Sequence, residues 1–308
     1  MEKIVDRCGR HTLSVELLAK TAEHAAMPLT DFYGVLEKKG FDLTGVVDHE
    51  VLTSRHKKKE KTTFFKHLLK IFDLSGVTDA ERLILANLSV LPPMYIDIDD
   101  VREWLDLKDI DAVNSLVVKG WLRKEAEGFG IFMHQVIQEV VRYHTSPDEK
   151  TCKNLIVSLT NKLYLEPTEN PMDKKKYIIF AETLLRYIDK KDESPATLSN
   201  NLAAIYRHMG SLKKALEFQL KALDIFEQVL DKNHPSLAVS YNNLALIYKD
   251  FKDYESAATY GEKAVAILQH LFPNGHPNLE TAKRNLEGIR KGVEGKSSVL
   301  SHLKRRKK

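Results

Sequence analysis

Cysteine is nearly absent from this chain. The two thiols, Cys8 and Cys152, lie far apart and match neither a metal-ligand nor a redox spacing. That excludes a disulfide-framed secreted scaffold and a zinc ribbon, and it points to a reducing compartment, the cytoplasm. Glycine and proline are sparse, at 14 and 10 of 308 residues, which disfavours turn-rich sheet. No apolar run approaches the roughly 18 residues that a membrane helix needs. The N-terminus has no apolar signal core, because Arg7, Arg10, Glu16 and Lys20 interrupt it. The excess of basic residues is small, 47 against 43 acidic for a net charge of +4, too little to mark a nucleic-acid protein. There is no Gly-x-x-x-x-Gly-Lys-Ser/Thr loop followed by an acidic strand, so the chain has no cradle for nucleotide phosphates during transfer.

What is present favours helices. Apolar residues make up 43% and charged residues 29%, a mixture suited to packed helices with solvated outer faces. Leu13, Leu17, Leu18 and Ala22 recur at helical spacing within residues 3–26, and Pro28 ends that region. A second helix carries Phe32, Val35 and Leu36 and stops at Gly40. Two helices bury little by themselves, so residues 1–41 are expected to be the remnant of a helical subdomain whose earlier part is missing. Residues 42–61 are polar and basic and read as a linker.

Residues 62–146 change character. Phe64, Phe65, Leu68, Leu69 and Phe72 share a helical face. Thr78 with Glu81 three residues on is a capping-box pattern, opening a helix that Pro92–Pro93 stops. Val101, Trp104 and Leu105 predict a third helix, and Val113, Leu116 and Val117 a fourth, closed by Gly120. Trp121–Glu125 and Phe129–Met133 then predict two strands of a hairpin around Gly128 and Gly130. A helix leaves the hairpin at His134. Helices followed by a small hairpin form a winged-helix pattern. Residues 147–190 add connecting or capping helices.

From about residue 191 the sequence repeats itself. Asn200-Asn201-Leu202-Ala203-Ala204-Ile205-Tyr206 matches Asn242-Asn243-Leu244-Ala245-Leu246-Ile247-Tyr248, and Ala215, Lys221, Ala222 and His234-Pro235 find their matches at the same spacing. Asn285-Leu286 starts a third, incomplete copy. Each unit is two helices, crossing at small residues such as Ala215 and Ala222. One unit cannot bury its apolar face alone, so neighbours stack into a solenoid. The array runs to residue 292. After Ile289 the chain meets Gly292 and Gly295 and then a basic tail, 293–308, so the third copy is expected to lack its second helix.

These repeats resemble tetratricopeptide repeats in the form found in kinesin light chains and their bacterial relatives. The family's Leu, Tyr, Gly, Ala and aromatic positions fall on Leu202, Tyr206, Gly210, Ala215 and Phe218, with Lys252 in place of the second Gly. The earlier part resembles the C-terminal portion of an NB-ARC module of STAND signalling proteins. Cys8-Gly9-Arg10-His11-Thr12-Leu13 stands where that family has Cys-Gly-Gly-Leu-Pro-Leu, and Met133-His134-Gln135 where it has Met-His-Asp. Thr12 replaces the proline that packs on adenine, and Gln135 replaces the aspartate. The overall fold class implied is mainly α: a winged-helix domain with a small β-hairpin, then an α-α solenoid of tetratricopeptide repeats.

The resemblance implies a non-enzymatic interaction or sensor module that binds a protein or peptide in the concave groove of its repeats. Asn201, Asn243 and Asn285 recur on the first helix of each copy. In this family that position faces the groove and bonds a guest backbone, and Lys249 adds charge there. The same Asn residues could instead bond helix to helix or be merely solvated. By resemblance His134 would contact a diphosphate and, with Thr12, mark a vestigial nucleotide site. No cofactor is expected, and ADP or ATP would bind only if an upstream NTPase segment supplied the phosphate loop. The chain would then be the regulatory half of a nucleotide switch. A second alternative is a winged-helix DNA-binding regulator. Its reading helix, Asp109–Gly120, carries only Lys119 as a cation, so nucleic acid is not the expected partner. His234-Pro235 and His276-Pro277 lack ligand-spaced partners and read as turn residues, not metal ligands. Cys8 with His11 or His134 lacks the third, orienting group of a nucleophile.

Overall fold

The computed structural model describes residues 74–166, 168–188 and 192–305, with positions 28, 30–31, 34, 49–52, 59–62 and 69. Thr12, the expected helix within 3–26 and the face of Phe64, Phe65, Leu68 and Phe72 lie outside these residues. The chain divides into two units, Met1–Asn154 and Leu155–Lys308.

In the first unit, β1 (His49–Leu52) and β2 (Lys59–Thr62) pair antiparallel with His49 opposite Thr62. All but Thr62 of these residues lie inside the segment read as a linker. That reading rested on polar composition, which reports affinity for water and not whether two backbones form a ladder.

Helix α1 (Asp79–Ser89) begins at the anticipated capping box: the Thr78 hydroxyl accepts from the Glu81 N–H at 3.3 Å, and the Glu81 carboxylate accepts from the Thr78 N–H at 2.7 Å. After the two prolines come β3 (Ile96–Asp97) and α2 (Ile98–Leu105). Helix α3 (Asp111–Val118) is followed by Gly120 at φ 79°, a left-handed turn that suits a residue without Cβ. Strands β4 (Arg123–Lys124) and β5 (Gly130–Phe132) follow, and then α4 (Gln135–Thr145). The expected two-stranded hairpin is a three-stranded antiparallel sheet in the order β3-β5-β4, with Ile96 opposite Ile131 and Lys124 opposite the same residue. Helix α1 packs against α3 and α4. Ile84, Leu85, Val113, Leu116, Val140 and Val141 are almost wholly buried. Gln138 on α4 donates to the Leu88 and Leu91 carbonyls, satisfying backbone acceptors at the end of α1.

The second unit is helical. Helix α5 (Lys153–Leu163) starts just ahead of the division and is followed by α6 (Lys175–Tyr187). Two helix pairs come next: α7 (Glu193–His208) with α8 (Leu212–Val229), and α9 (Pro235–Asp250) with α10 (Tyr254–Leu271). Helix α11 (Pro277–Arg305) closes the unit. Each helix from α7 onward packs on the next, with Ala215, Ala222, Ala257 and Ala264 fully buried at the crossings. A continuous core joins the copies: Phe226 of α8, Leu237, Tyr241 and Leu244 of α9, Ala264 and Leu268 of α10, and Leu279 of α11.

Helix α11 does not stop at Gly292 as expected. It runs through Gly292 and Gly295 to Arg305. At Gly292 the glycine is a packing device: a Cβ there would meet the Tyr254 ring at 2.4 Å. The residue makes room for an aromatic ring, and the helix continues past it.

Candidate functional site

The first helices of the copies, α7, α9 and α11, are joined by asparagines, paired in α7 and α9 and single in α11. Asn201 Nδ2 donates to the Thr160 carbonyl of α5 at 3.0 Å, Asn243 Nδ2 to Asn200 Oδ1 at 3.2 Å, and Asn285 Nδ2 to Asn242 Oδ1 at 3.0 Å. Each recurring Asn therefore bonds back onto an earlier helix, Asn201 onto α5 and the other two onto the preceding first helix. One face of each amide links neighbouring helices, and the Oδ1 atoms of Asn201, Asn243 and Asn285 accept no hydrogen bond among the described residues. Asparagine is a poor helix former, and two in succession are explained by this link: the first of each pair accepts, the second donates.

Between α7, α8 and α9 the links deepen into a buried polar node. Gln219 Nε2 donates to Asn200 Oδ1 at 3.0 Å and to Ser240 Oγ at 2.8 Å, with Gln219 and Ser240 fully buried. One copy later the node has become apolar. Gly261 stands at the Gln219 position, and Leu286 fills its space, 3.1 Å from where a Cβ would sit. Asn200 and Gln219 were not singled out from sequence. The doubled Asn was visible, but nothing in one chain showed which amide faces inward.

Two adjoining cavities open on the face shared by α5, α7 and α9. One, of about 320 Å³, is lined by Thr160, Asn161, Tyr164, Thr197, Asn200, Asn201, Phe226, Pro235, Ser236 and Val239. The other, of about 260 Å³, lies beside it and adds Ile156, Val157, Glu193 and Ser194. Tyr164, Val157 and Val239 are exposed apolar side chains on this face. Ser236 Oγ donates to Glu193 Oε1 at 3.0 Å, tying the starts of α7 and α9 together.

Lys249 lies at the α9–α11 end. Its Nζ is 3.6 Å from the position a Cβ would take on Gly288, and it makes no ion pair among the described residues. The equivalent cation one copy earlier, Arg207, pairs with Asp250 at 3.0 Å. The position equivalent to Asp250 is Gly292, so Lys249 has no such carboxylate.

A larger cleft of about 760 Å³ lies between α6 and α8, lined by Glu182, Arg186, Lys214, Glu217, Phe218 and Lys221 among others. Its charges are largely spent on one another. Lys214 donates to Glu182 at 2.9 Å and Lys221 pairs with Glu217. The Tyr206 hydroxyl donates to Glu182 at 2.6 Å, and burial together with that carboxylate raises its pKa.

Three of the histidines singled out from sequence share one structural role, and the fourth, His11, lies outside the described residues. His134, His234 and His276 are N-caps, each accepting through Nδ1 from the N–H two residues on, at 3.2, 3.2 and 3.1 Å. His134 is also buried. Among the described residues no cluster of His, Cys, Asp or Glu could hold a metal ion, and no helix is long and apolar enough to cross a membrane. Burial pushes the Cys152 thiol up to about 12, the opposite of an activated nucleophile. Lys119 is taken by Glu81, with Nζ 2.7 Å from both carboxylate oxygens.

A family model described as tetratricopeptide repeat matches residues 194–270, so the chain carries tetratricopeptide repeats there. No curated protein matches the chain. Similar solved structures include nearly identical TPR-like repeats of a putative kinesin light chain from Podospora anserina, at 16% identity over 56% of this chain and 82% of that one, TM-score 0.39. BtubC (BKLC) from P. vanneervenii is 21% identical over 75% of this chain and 90% of its own, TM-score 0.38. A signal transduction ATPase with numerous domains, with a tetratricopeptide repeat sensor, from Pyrococcus horikoshii is 16% identical over 91% of this chain and 46% of its own, TM-score 0.34.

Proposed function

We propose that this chain is a non-catalytic interaction module that binds a protein or peptide segment along the first-helix face of its tetratricopeptide repeats. The observation that carries the reading is the pair of cavities on that face, where hydrogen-bonding Asn, Thr and Ser side chains alternate with exposed Val157, Tyr164 and Val239. A surface that mixes amide and hydroxyl groups with apolar steps suits an extended peptide, whose backbone needs hydrogen bonds and whose alternate side chains need apolar contact. The unspent Oδ1 atoms of Asn201, Asn243 and Asn285 serve as acceptors, and Lys249 adds a cation at one end. The reading takes the chain to act in the cytoplasm.

The test is selection of a random linear peptide library on the whole chain, followed by titration of an enriched peptide. Val239→Arg places a long cation in the cavity without touching the core. It should weaken binding at least about tenfold, the loss of roughly 1.4 kcal/mol. A peptide that binds Val239→Arg as tightly as wild type binds elsewhere, and the first-helix face is then not the site.

A second reading treats residues 62–146 as the winged-helix end of a STAND-type nucleotide switch. The order α1, β3, α2, α3, β4, β5, α4 is compatible with a winged helix, and the buried His134 stands at the start of α4. The phosphate loop would have to come from another segment. Genomic sequence directly upstream of Met1 tests this: an in-frame phosphate loop supports it, and an unrelated gene there removes it. The DNA-reading alternative is disfavoured because Lys119, the cation on the reading helix, is occupied by Glu81.

A further inference from the structure

The second helices of the two copies, α8 and α10, enclose a cleft of about 450 Å³. That volume lies within the range of small-molecule sites. Its floor is apolar, formed by Leu230 at the end of α8, Leu237 of α9 and Ile267 of α10. Its charged residues are Lys232, Lys263 and Glu227, two cations against one carboxylate. Lys263 Nζ lies 5.1 Å from the centre of the Tyr241 ring and 5.4 Å from that of Tyr260, and the two rings stack at 6.1 Å. Two ring faces thus hold the ammonium in place. Neither Lys263 nor Lys232 makes a hydrogen bond or an ion pair among the described residues. The Glu227 carboxylate is already engaged, accepting from the Tyr241 hydroxyl at 2.6 Å. Burial, together with that carboxylate, raises the Tyr241 pKa, so the phenol keeps its proton.

The cleft between α6 and α8 shows what the second cleft has lost. There the equivalent lysine, Lys221, pairs with Glu217 four residues before it, and Lys214 pairs with Glu182. At the repeat spacing Thr259 stands in place of Glu217 and Ser256 in place of Lys214. Lys263 therefore keeps the position of Lys221 without the carboxylate that spends its charge.

An apolar floor beside uncompensated cations favours a ligand with two unlike ends. An aliphatic body takes the floor out of water, and an anionic head is attracted more strongly in a partly dry cleft than in bulk solvent. We propose that the cleft between α8 and α10 binds a small amphipathic carboxylate, whose head is held by Lys263 and Lys232 and whose aliphatic body rests on Leu230, Leu237 and Ile267. The site is separate from the first-helix face. Leu237 and Tyr241, one turn apart on α9, line the cleft, whereas Val239 between them lines the first-helix cavity.

The test uses the whole chain with ¹³C-labelled isoleucine methyl groups and three probes that share one tail: octanoate, octanol and octylammonium. Octanoate should shift the Ile267 methyl resonance at about tenfold lower concentration than either of the others. Lys263→Gln removes the cation and keeps most of the stem. It should weaken octanoate about tenfold and leave octanol unchanged, a split that loss of the fold would not produce. Lys232→Gln, in the exposed turn after α8, is the second variant and should weaken octanoate about threefold. Ala266→Phe fills the cleft from an exposed position and should abolish the shift with helicity unchanged. Val239→Arg should leave octanoate binding intact, whether or not a peptide binds the first-helix face. Octylammonium binding as tightly as octanoate overturns the proposal, as does wild-type octanoate affinity in Lys263→Gln. An Ile267 methyl that stays in place up to about 10 mM octanoate overturns it too. Loss of octanoate binding in Val239→Arg would put the ligand on the first-helix face and have the same consequence.

Discussion

Single positions in the array show how far sequence reasoning reaches. Gly210 ends α7 at φ 75°, and its counterpart Lys252 ends α9 at φ 63°. The spacing of the repeats put Lys252 at a glycine position, and the backbone there kept the left-handed turn and gave it to a lysine. A side chain with a Cβ costs about 1 kcal/mol in that conformation, and Lys252 is exposed, so little else depends on it. Lys252→Gly should therefore stabilise the array by about 0.5–1 kcal/mol, read as a higher urea midpoint by far-ultraviolet circular dichroism. A lower midpoint would mean that lysine makes a contact worth more than the strain. The histidines were legible in the same limited sense. Repetition marked His234 and His276 as turn residues, but their use as N-caps through Nδ1 depends on a ring orientation that no spacing encodes. Glu81 was legible as the third residue of a capping box, and its pairing with Lys119 was not, because the two lie far apart in sequence. Burial pushes its pKa up, but hydrogen bonds from Lys119, Ser115 and Thr78 more than offset this and hold it at about 2, below its ordinary 4.5. A depressed carboxylate stabilises the fold above the unfolded pKa, and that contribution is lost as pH falls from about 4.5 towards about 2. Glu81→Gln should cost about 1–3 kcal/mol at neutral pH, and the gap to wild type should shrink through that window. The two tryptophans, Trp104 and Trp121, are both buried in the same unit, so their fluorescence follows this unfolding. A gap that stays constant across the window would show that the charge of Glu81 is not what stabilises the fold.

At the scale of elements, helices with a strong period were the legible ones. The capping box set the start of α1, and the doubled prolines lay just beyond its end. Strand β3 was not legible, because two residues, Ile96 and Asp97, are too short to show a period, and they pair only because β5 presents an open edge. The error at α11 is more instructive. Gly292, where the sequence suggested the array ends, lies one turn after Gly288, and each glycine costs roughly 0.5–1 kcal/mol relative to Ala in a helix. What keeps them in the helix is space. A Cβ on Gly292 would meet three Tyr254 ring atoms between 2.4 and 2.9 Å, whereas one on Gly288 would meet only the mobile end of Lys249 at 3.6 Å. The two substitutions should therefore have opposite signs. Gly288→Ala should raise stability by about 0.5–1 kcal/mol through helix propensity, and Gly292→Ala should lower it by about 1–3 kcal/mol through overpacking. Thermal melts of the two variants decide the matter. If both stabilise, Tyr254 swings clear without cost and Gly292 is not needed for packing.

At the scale of the array, the legible part was the repeat itself, because a period of two helices imposes the same small and bulky positions on each copy. Cooperation between copies was less visible. In a stacked array each unit is stabilised mainly by its neighbours, so the groups that cross from one first helix to the next govern whether copies unfold together. Asn201, Asn243 and Asn285 all cross in this way, each through a single Nδ2 bond. The sequence admitted two uses of these side chains, bonding a guest or bonding a neighbouring helix, and the structure gives one nitrogen bond of each to the neighbour. Replacing Asn201 and Asn243 together by Ala removes two such bonds, each worth about 0.5–1.5 kcal/mol, while Ala recovers a few tenths per site in helix propensity. The array should lose about 1–2 kcal/mol, and its urea transition should broaden as the copies uncouple, with native helicity nearly unchanged. Circular dichroism is the right probe, because both tryptophans report on the other unit. A double variant as stable and as cooperative as wild type would show that the links carry no weight in folding. The asparagines would then owe their recurrence to a guest alone, and the same variant should lose a selected peptide without losing anything else.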